Sequence, residues 1–159
     1  MRLDLRFERG WMAKPAALGL AAVGLIILFS RGPADPPREI SVRRGGSLWA
    51  GVERDGSVRI GGIVRGEIEA DGAVRIGGVI VGSLESGGGI RREGILVGAL
   101  ESDGSLRREG TVIARIEADG RIRRGGVAWG EASPCCGNEE ERRRVAAVLV
   151  FFSEEFFAR

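Results

Sequence analysis

Three sets of residues in this chain of 159 have types and spacing that could do chemistry. Five glutamates recur at sixteen-residue intervals, Glu53, Glu69, Glu85, Glu101 and Glu117, and five arginines keep step with them, Arg59, Arg75, Arg91, Arg107 and Arg123. Carboxylates stacked at strand spacing would shift one another's proton affinity. A stack of guanidinium groups, joined by Arg43 and Arg44 and widened by Arg92, Arg108 and Arg124, would make a basic stripe for a polyanion such as lipid headgroups, nucleic acid or cell-wall polymer. The third set is Cys135-Cys136; two adjacent cysteines form no zinc site without partners and indicate no disulfide framework. The chain has no histidine, which removes the commonest general base and metal ligand. The repeated Gly-Gly pairs open no helix, so neither a dinucleotide fold nor a nucleotide phosphate loop is expected. No catalytic constellation forms, and neither an enzyme activity nor a cofactor is expected. The simplest role for the charged columns is to keep an outer face wet and discourage edge pairing. Aromatics interleaved for single-stranded nucleic acid are missing from the arginine stripe.

What must position these columns is a tandem repeat running from Gly45 to Gly130. Glycine fills one column at Gly46, Gly62, Gly78, Gly94, Gly110 and Gly126, and a turn column at Gly56, Gly72, Gly88, Gly104 and Gly120. Asp precedes the turn glycine in every block except that of Gly88, the pairing suited to a tight turn with positive φ. Three columns are aliphatic or alanine throughout and read as the core: Leu48, Val64, Ile80, Leu96, Val112 and Ala128; Val52, Ile68, Leu84, Leu100, Ile116 and Ala132; Val58, Val74, Ile90, Leu106 and Ile122. Even spacing of apolar positions requires strands, and the glycine load excludes helices.

Two architectures fit. Each block is one coil of a parallel β-helix, with equivalent residues stacked about 4.8 Å apart; or each block is a hairpin in an antiparallel meander. A two-residue Asp-Gly turn would set Ile68 opposite Arg75, pairing core with solvent. A three-residue loop from Ala70 to Gly72 sets Ile68 opposite Val74 and rescues the hairpin. A single-layer meander leaves one face of every strand wet and needs a second layer, so the expected fold is all-β, a right-handed parallel β-helix of about five and a half coils over residues 39–132.

The run from Gly66 to Gly82, GEIEADGAVRIGGVIVG, resembles the bactofilins, polymer-forming bacterial cytoskeletal proteins, and the resemblance covers about residues 38–131. It implies a right-handed parallel β-helix that polymerises end to end without nucleotide or metal. Trp49 and Trp129 share a column in the first and last blocks, the two ends of such a stack, where caps or end-to-end contacts would form.

The flanks complete the reading. Residues 1–14 are a charged leader, and residues 15–30 carry no charge and are expected to be a transmembrane anchor or a secretory signal. Residues 31–38 are a proline-rich linker. Residues 133–159 read as a turn followed by a helix, with Asn138 and Glu141 as its N-terminal signature. Val145, Val148, Leu149, Phe152 and Phe156 would form an apolar stripe capping the last coil. Alternatively the run Val148 to Phe152, which includes Phe151, together with Phe156 and Phe157, is a surface for self-association or membrane contact. The net charge of +2 argues for no particular partner. The expected function is a membrane-associated scaffold that self-assembles end to end; the alternative is a periplasmic or secreted polyanion-binding module using the arginine ladder.

Overall fold

A computed structural model describes residues 38–157. Twelve strands follow one another in chain order, every neighbouring pair is antiparallel, and β1 (Ile40–Arg44) pairs with β12 (Val127–Ser133), closing a barrel. Between them lie β2 (Ser47–Val52), β3 (Ser57–Ile60), β4 (Ile63–Ile68), β5 (Ala73–Ile76), β6 (Val79–Leu84), β7 (Gly89–Arg92), β8 (Ile95–Leu100), β9 (Ser105–Arg108), β10 (Thr111–Ile116) and β11 (Arg121–Arg124). A single helix, α1 (Glu139–Phe152), follows β12. The parallel β-helix is therefore overturned, and with it the fold that the bactofilin resemblance implied.

Two kinds of turn make the antiparallel order. At one end, the upper end here, two-residue turns join each odd strand to the next even one. Gly61 and Gly62 have φ of +58° and +81°, the left-handed pair that matches the twist of a hairpin, and Arg44 pairs directly with Ser47 across Gly45-Gly46. At the other, lower end, three-residue loops such as Ala70-Asp71-Gly72 return the chain. Glu69 N–H donates to Ala73 O at 2.8 Å, and Ile68 stands opposite Val74. Each turn glycine then ties its block to the next: Leu84 N–H donates to Gly72 O at 2.9 Å, and Leu100 N–H to Gly88 O at 2.8 Å.

The objection to the hairpin, a missing second layer, is answered by closure around α1. Val145, Ala146, Ala147, Val148, Leu149 and Val150 are all at most 1% exposed. Six consecutive buried residues cover every side of a helix, so α1 is surrounded rather than laid as an amphipathic cap. It packs on β1, β2, β4, β6 and β10, strands from around the whole ring. Asn138 caps it, accepting from Glu141 N–H at 2.8 Å, while Glu141 Oε2 accepts from Gly137 N–H at 3.0 Å. Fourteen residues span about 21 Å, close to the length of a six-residue strand, so the helix fills the lumen from one mouth to the other. The capping helix expected from the stripe is thus a lumenal one, ending at Phe152.

Two of the three aliphatic columns line the lumen, from Val52 to Ala132 and from Val58 to Ile122, all at most 7% exposed. The third does not: Leu48, Val64, Ile80, Leu96 and Val112 are between 42% and 59% exposed. The cause is a β-bulge in every even strand. Val58 pairs with Gly66 but Arg59 with Val64, leaving Arg65 extra, and the same slip recurs at Trp49, Val81, Val97, Ile113 and Trp129. One extra residue reverses the alternation beyond it, so Val64, on the same side as Ile68 by simple counting, points outward.

Residues 15–30, read as an anchor or signal, lie outside the described residues, as do the leader and the linker up to residue 37. Among the described residues no helix is long and apolar enough to cross a membrane, so no transmembrane helix is found there. Below the upper turns the strands carry apolar residues inward and charged ones outward, the reverse of membrane-spanning strands. Since ring, lumen and helix all lie within residues 38–157 and no strand edge is left open, this segment is complete as a folding unit.

Candidate functional site

The glutamate and arginine columns meet on the outer wall. Arg59 pairs with Glu53 and Arg75 with Glu69; Arg91–Glu85 and Arg107–Glu101 each stand at 2.6 Å and Arg123–Glu117 at 2.8 Å. The hydrogen bond to Glu53, and then its charge, raise the Arg59 guanidinium above its ordinary value, and Glu69 does the same for Arg75. Each arginine also donates Nη1 to the second residue of the upper turn beside it: Arg91 to Gly94 O at 3.1 Å, Arg107 to Gly110 O at 2.9 Å, and likewise Arg43, Arg59, Arg75 and Arg123 to Gly46, Gly62, Gly78 and Gly126. The ladder is a ring of staples. Successive glutamates stand two strands apart, about 9.5 Å, rather than stacked at one strand spacing. Surface pairs of this kind stabilise little individually, and their regularity fixes the turns more than it stores energy.

A second ring lines the upper mouth, because the last residue of each odd strand points inward. It holds Arg44, Ile60, Ile76, Arg92, Arg108 and Arg124. Beneath it sits the C-terminal aromatic segment. Arg92 lies over the Phe151 ring, Arg108 over Phe157, Arg124 over Phe156 and Arg44 over Trp129, with guanidinium carbons 5.3 to 5.9 Å from the ring centroids. Glu155 knots this plug. It pairs with Arg44, accepts from Trp129 Nε1 at 3.0 Å, and its carbonyl accepts from Arg124 Nε at 3.1 Å.

The aromatics proposed for self-association are consumed here. Phe156 and Phe157 are 4% and 3% exposed, while Phe151 and Phe152 pack partly buried against the core. Trp49 and Trp129, placed by the solenoid reading at opposite ends of a stack, are neighbours: closure brings the first and last blocks to either side of β1, and the rings meet edge-on at 5.3 Å. Small residues of the even strands make room for the plug, since a Cβ on Gly66 would lie 2.8 Å from Phe152 Cε1 and one on Gly98 2.8 Å from Phe157 Cζ. Cys135 and Cys136 are bonded to each other, in the link between β12 and α1. Among the described residues no group of acidic, histidine or cysteine side chains gathers to hold a metal ion.

The surface that sequence reasoning missed is the upper rim. Every exposed large hydrophobic among the described residues lies beside an upper turn: Ile63, Val79, Ile95 and Val127 at 59% to 70% exposure, the outward Leu48, Val64, Ile80, Leu96 and Val112, and Ile76. We call this rim the crown. Two open depressions of about 640 and 620 Å³ flank its mouth arginines; one is lined by Ile95, Leu96, Val97, Arg108 and Phe157, the other by Ile60, Arg65, Ile76, Phe151 and Phe152, and Arg92 borders both. The signal was present in the consecutive apolar residues just beyond the upper turns, such as Ile63-Val64, Val79-Ile80-Val81 and Ile95-Leu96-Val97. A strand with one buried face has no use for such runs unless a bulge intervenes. Comparison of the chain with protein-family models, with curated proteins and with solved structures returns no match, so the crown must be read from its own chemistry.

Proposed function

We propose that this chain is a structural scaffold element without catalytic chemistry, which works by docking its crown end-on to a partner surface. The observation that carries this reading is the segregation of exposed large hydrophobics to one end of a barrel whose lumen is already filled by α1. A filled lumen offers no room for a substrate, and an apolar rim of this extent is what docking surfaces expose. The arginine ladder gives less support to polyanion capture, because each of its guanidinium groups is already engaged by a turn carbonyl and, from Arg59 onward, by a glutamate. Self-assembly through the aromatic residues would require the plug to leave the mouth.

The test is binding of the neutral apolar dye Nile red to native residues 38–159. The wild-type segment should enhance its fluorescence, and the combined change Ile63→Ser, Val79→Ser and Ile95→Ser should remove most of the enhancement while leaving the melting curve in place. Equal fluorescence from the two proteins would overturn the reading.

A further inference from the structure

Two charged residues depart from the repeat on the crown, at places where the fold makes no use of their charge. At five of the six bulges Trp49, Val81, Val97, Ile113 and Trp129 pack an apolar side chain partly against the core. The sixth bulge residue is Arg65, which is exposed and forms no ion pair among the described residues. The upper turns begin with Gly45, Gly61, Gly77 and Gly125 in four hairpins, but Glu93 and Glu109 take the same left-handed backbone, with φ of +51° and +49°, a conformation that favours glycine. Glu109 stands 4.0 Å from Arg108, whereas Glu93 is exposed and has no such partner among the described residues.

Between Arg65 and Glu93 lies most of the crown's apolar surface. The rim is lopsided. Three neighbouring hairpins, β3–β4, β5–β6 and β7–β8, carry Ile63 and Val64, Ile76, Val79 and Ile80, and Ile95 and Leu96. The other three carry one exposed large hydrophobic each, Leu48, Val112 and Val127. At 36% to 68% exposure, the side chains of this arc make an apolar patch on the order of 600 Å², the upper end of what a monomer leaves in water. The depression of about 620 Å³ bordered by Ile60, Arg65, Ile76 and Phe152 opens behind the same hairpins.

Resting on the docking reading above, we propose that the crown's partner is a second copy of this chain, seated arc on arc about a two-fold axis that passes beside hairpin β5–β6. A two-fold contact presents the same patch twice, so each flank of the patch must suit the opposite flank. The arc meets that condition. Arg65 lies one hairpin to one side of β5–β6 and Glu93 one hairpin to the other, so Arg65 of each copy faces Glu93 of the partner subunit. Val79 and Ile80 meet their own counterparts at the axis, and the depression gives a hairpin tip a recess where two convex rims would otherwise touch only at their turns. The other arginines of the arc leave this match undisturbed. Arg59, Arg75 and Arg91 are held by their glutamates, and Arg92 turns into the mouth, onto the Phe151 ring and the Val150 carbonyl. A single two-fold contact closes at two chains.

Analytical ultracentrifugation of residues 38–159 over a dilution series tests this. The wild type should pass from one chain to two and no further as concentration rises, and Nile red enhancement per chain should fall over the same range as the arc is covered. Val79→Ser with Ile80→Ser should weaken pairing at least about tenfold. Leu48→Ser with Val112→Ser, on hairpins outside the arc, should leave it unchanged. Glu93→Arg and Arg65→Glu should each weaken pairing at least about tenfold by setting like charges together. Mixing these two variants should restore a pair made of one copy of each, because both contacts then join opposite charges. A wild type that stays a single chain or grows beyond two overturns the proposal, as does undiminished pairing of the Val79→Ser, Ile80→Ser variant or failure of the mixed charge variants to pair. If the wild type stays single while its crown still enhances Nile red, the second copy alone falls and the docking reading stands; if the dye signal is also missing, both fall.

Discussion

Asp55, Asp103 and Asp119 each hold a lower loop by accepting from the backbone N–H two residues on, at 2.9, 2.8 and 3.1 Å. The bonds to Ser57 and Ser105, backbone first and hydroxyl second, lower the proton affinity of Asp55 and Asp103; for Asp119 the main cause is the Arg121 side chain, followed by its backbone N–H. All three titrate below the ordinary value of 3.8, so their contribution is fully present above that value and is lost as pH falls through the folded values. The thermal midpoint should therefore drop as pH falls below about 3.8, and replacing the three by Asn should flatten that acid limb in a pH series of melting curves. The block that lacks this aspartate has Gly87 in its place, with open space where a Cβ would stand and no left-handed φ. Gly87→Asp should supply the missing acceptor for Gly89 N–H and stabilise the barrel by about 1 kcal/mol, from one hydrogen bond and a less flexible unfolded chain, measurable by urea denaturation.

At the scale of elements, α1 is the component on which the others depend. Leu149 is fully buried in its last turn, and Leu149→Ala should cost about 2–5 kcal/mol in chemical denaturation, the range for a core cavity with little room to relax. How much could be read from the chain differs between elements for physical reasons. The lower loops were legible only within the hairpin alternative, where a three-residue loop sets Ile68 opposite Val74, and the helix start was legible in Asn138 and Glu141. The choice between coil and hairpin was not, because it turned on where a second layer would come from. The answer lay in reading Val145 to Phe152 as apolar on every side, which a cap on an open coil does not require and a lumenal helix does. The crown was hidden by the bulges. A bulge leaves no fixed residue type behind it, occurring here at Trp, Arg, Val and Ile, so counting by two carried Val64 and its column into a core that they do not join.

Residues 38–157 form a ring of near-identical hairpins around one helix, and that helix acts as a gauge. Tandem blocks are easily gained or lost in a gene, and in an open solenoid an extra copy merely lengthens the stack. Here the diameter grows with the number of strands, while the object inside keeps one thickness. Deleting residues 73–88, a single sixteen-residue period, keeps every remaining register and leaves a ten-stranded ring too narrow for α1. The helix should then be expelled, and amide exchange at residues 145–150 should rise from core-like protection to that of an exposed segment; retained protection would show that the ring can stretch. The copy number of this repeat is thus set by the girth of one short helix, and a descendant that lost or added a block would have to change its last twenty residues as well.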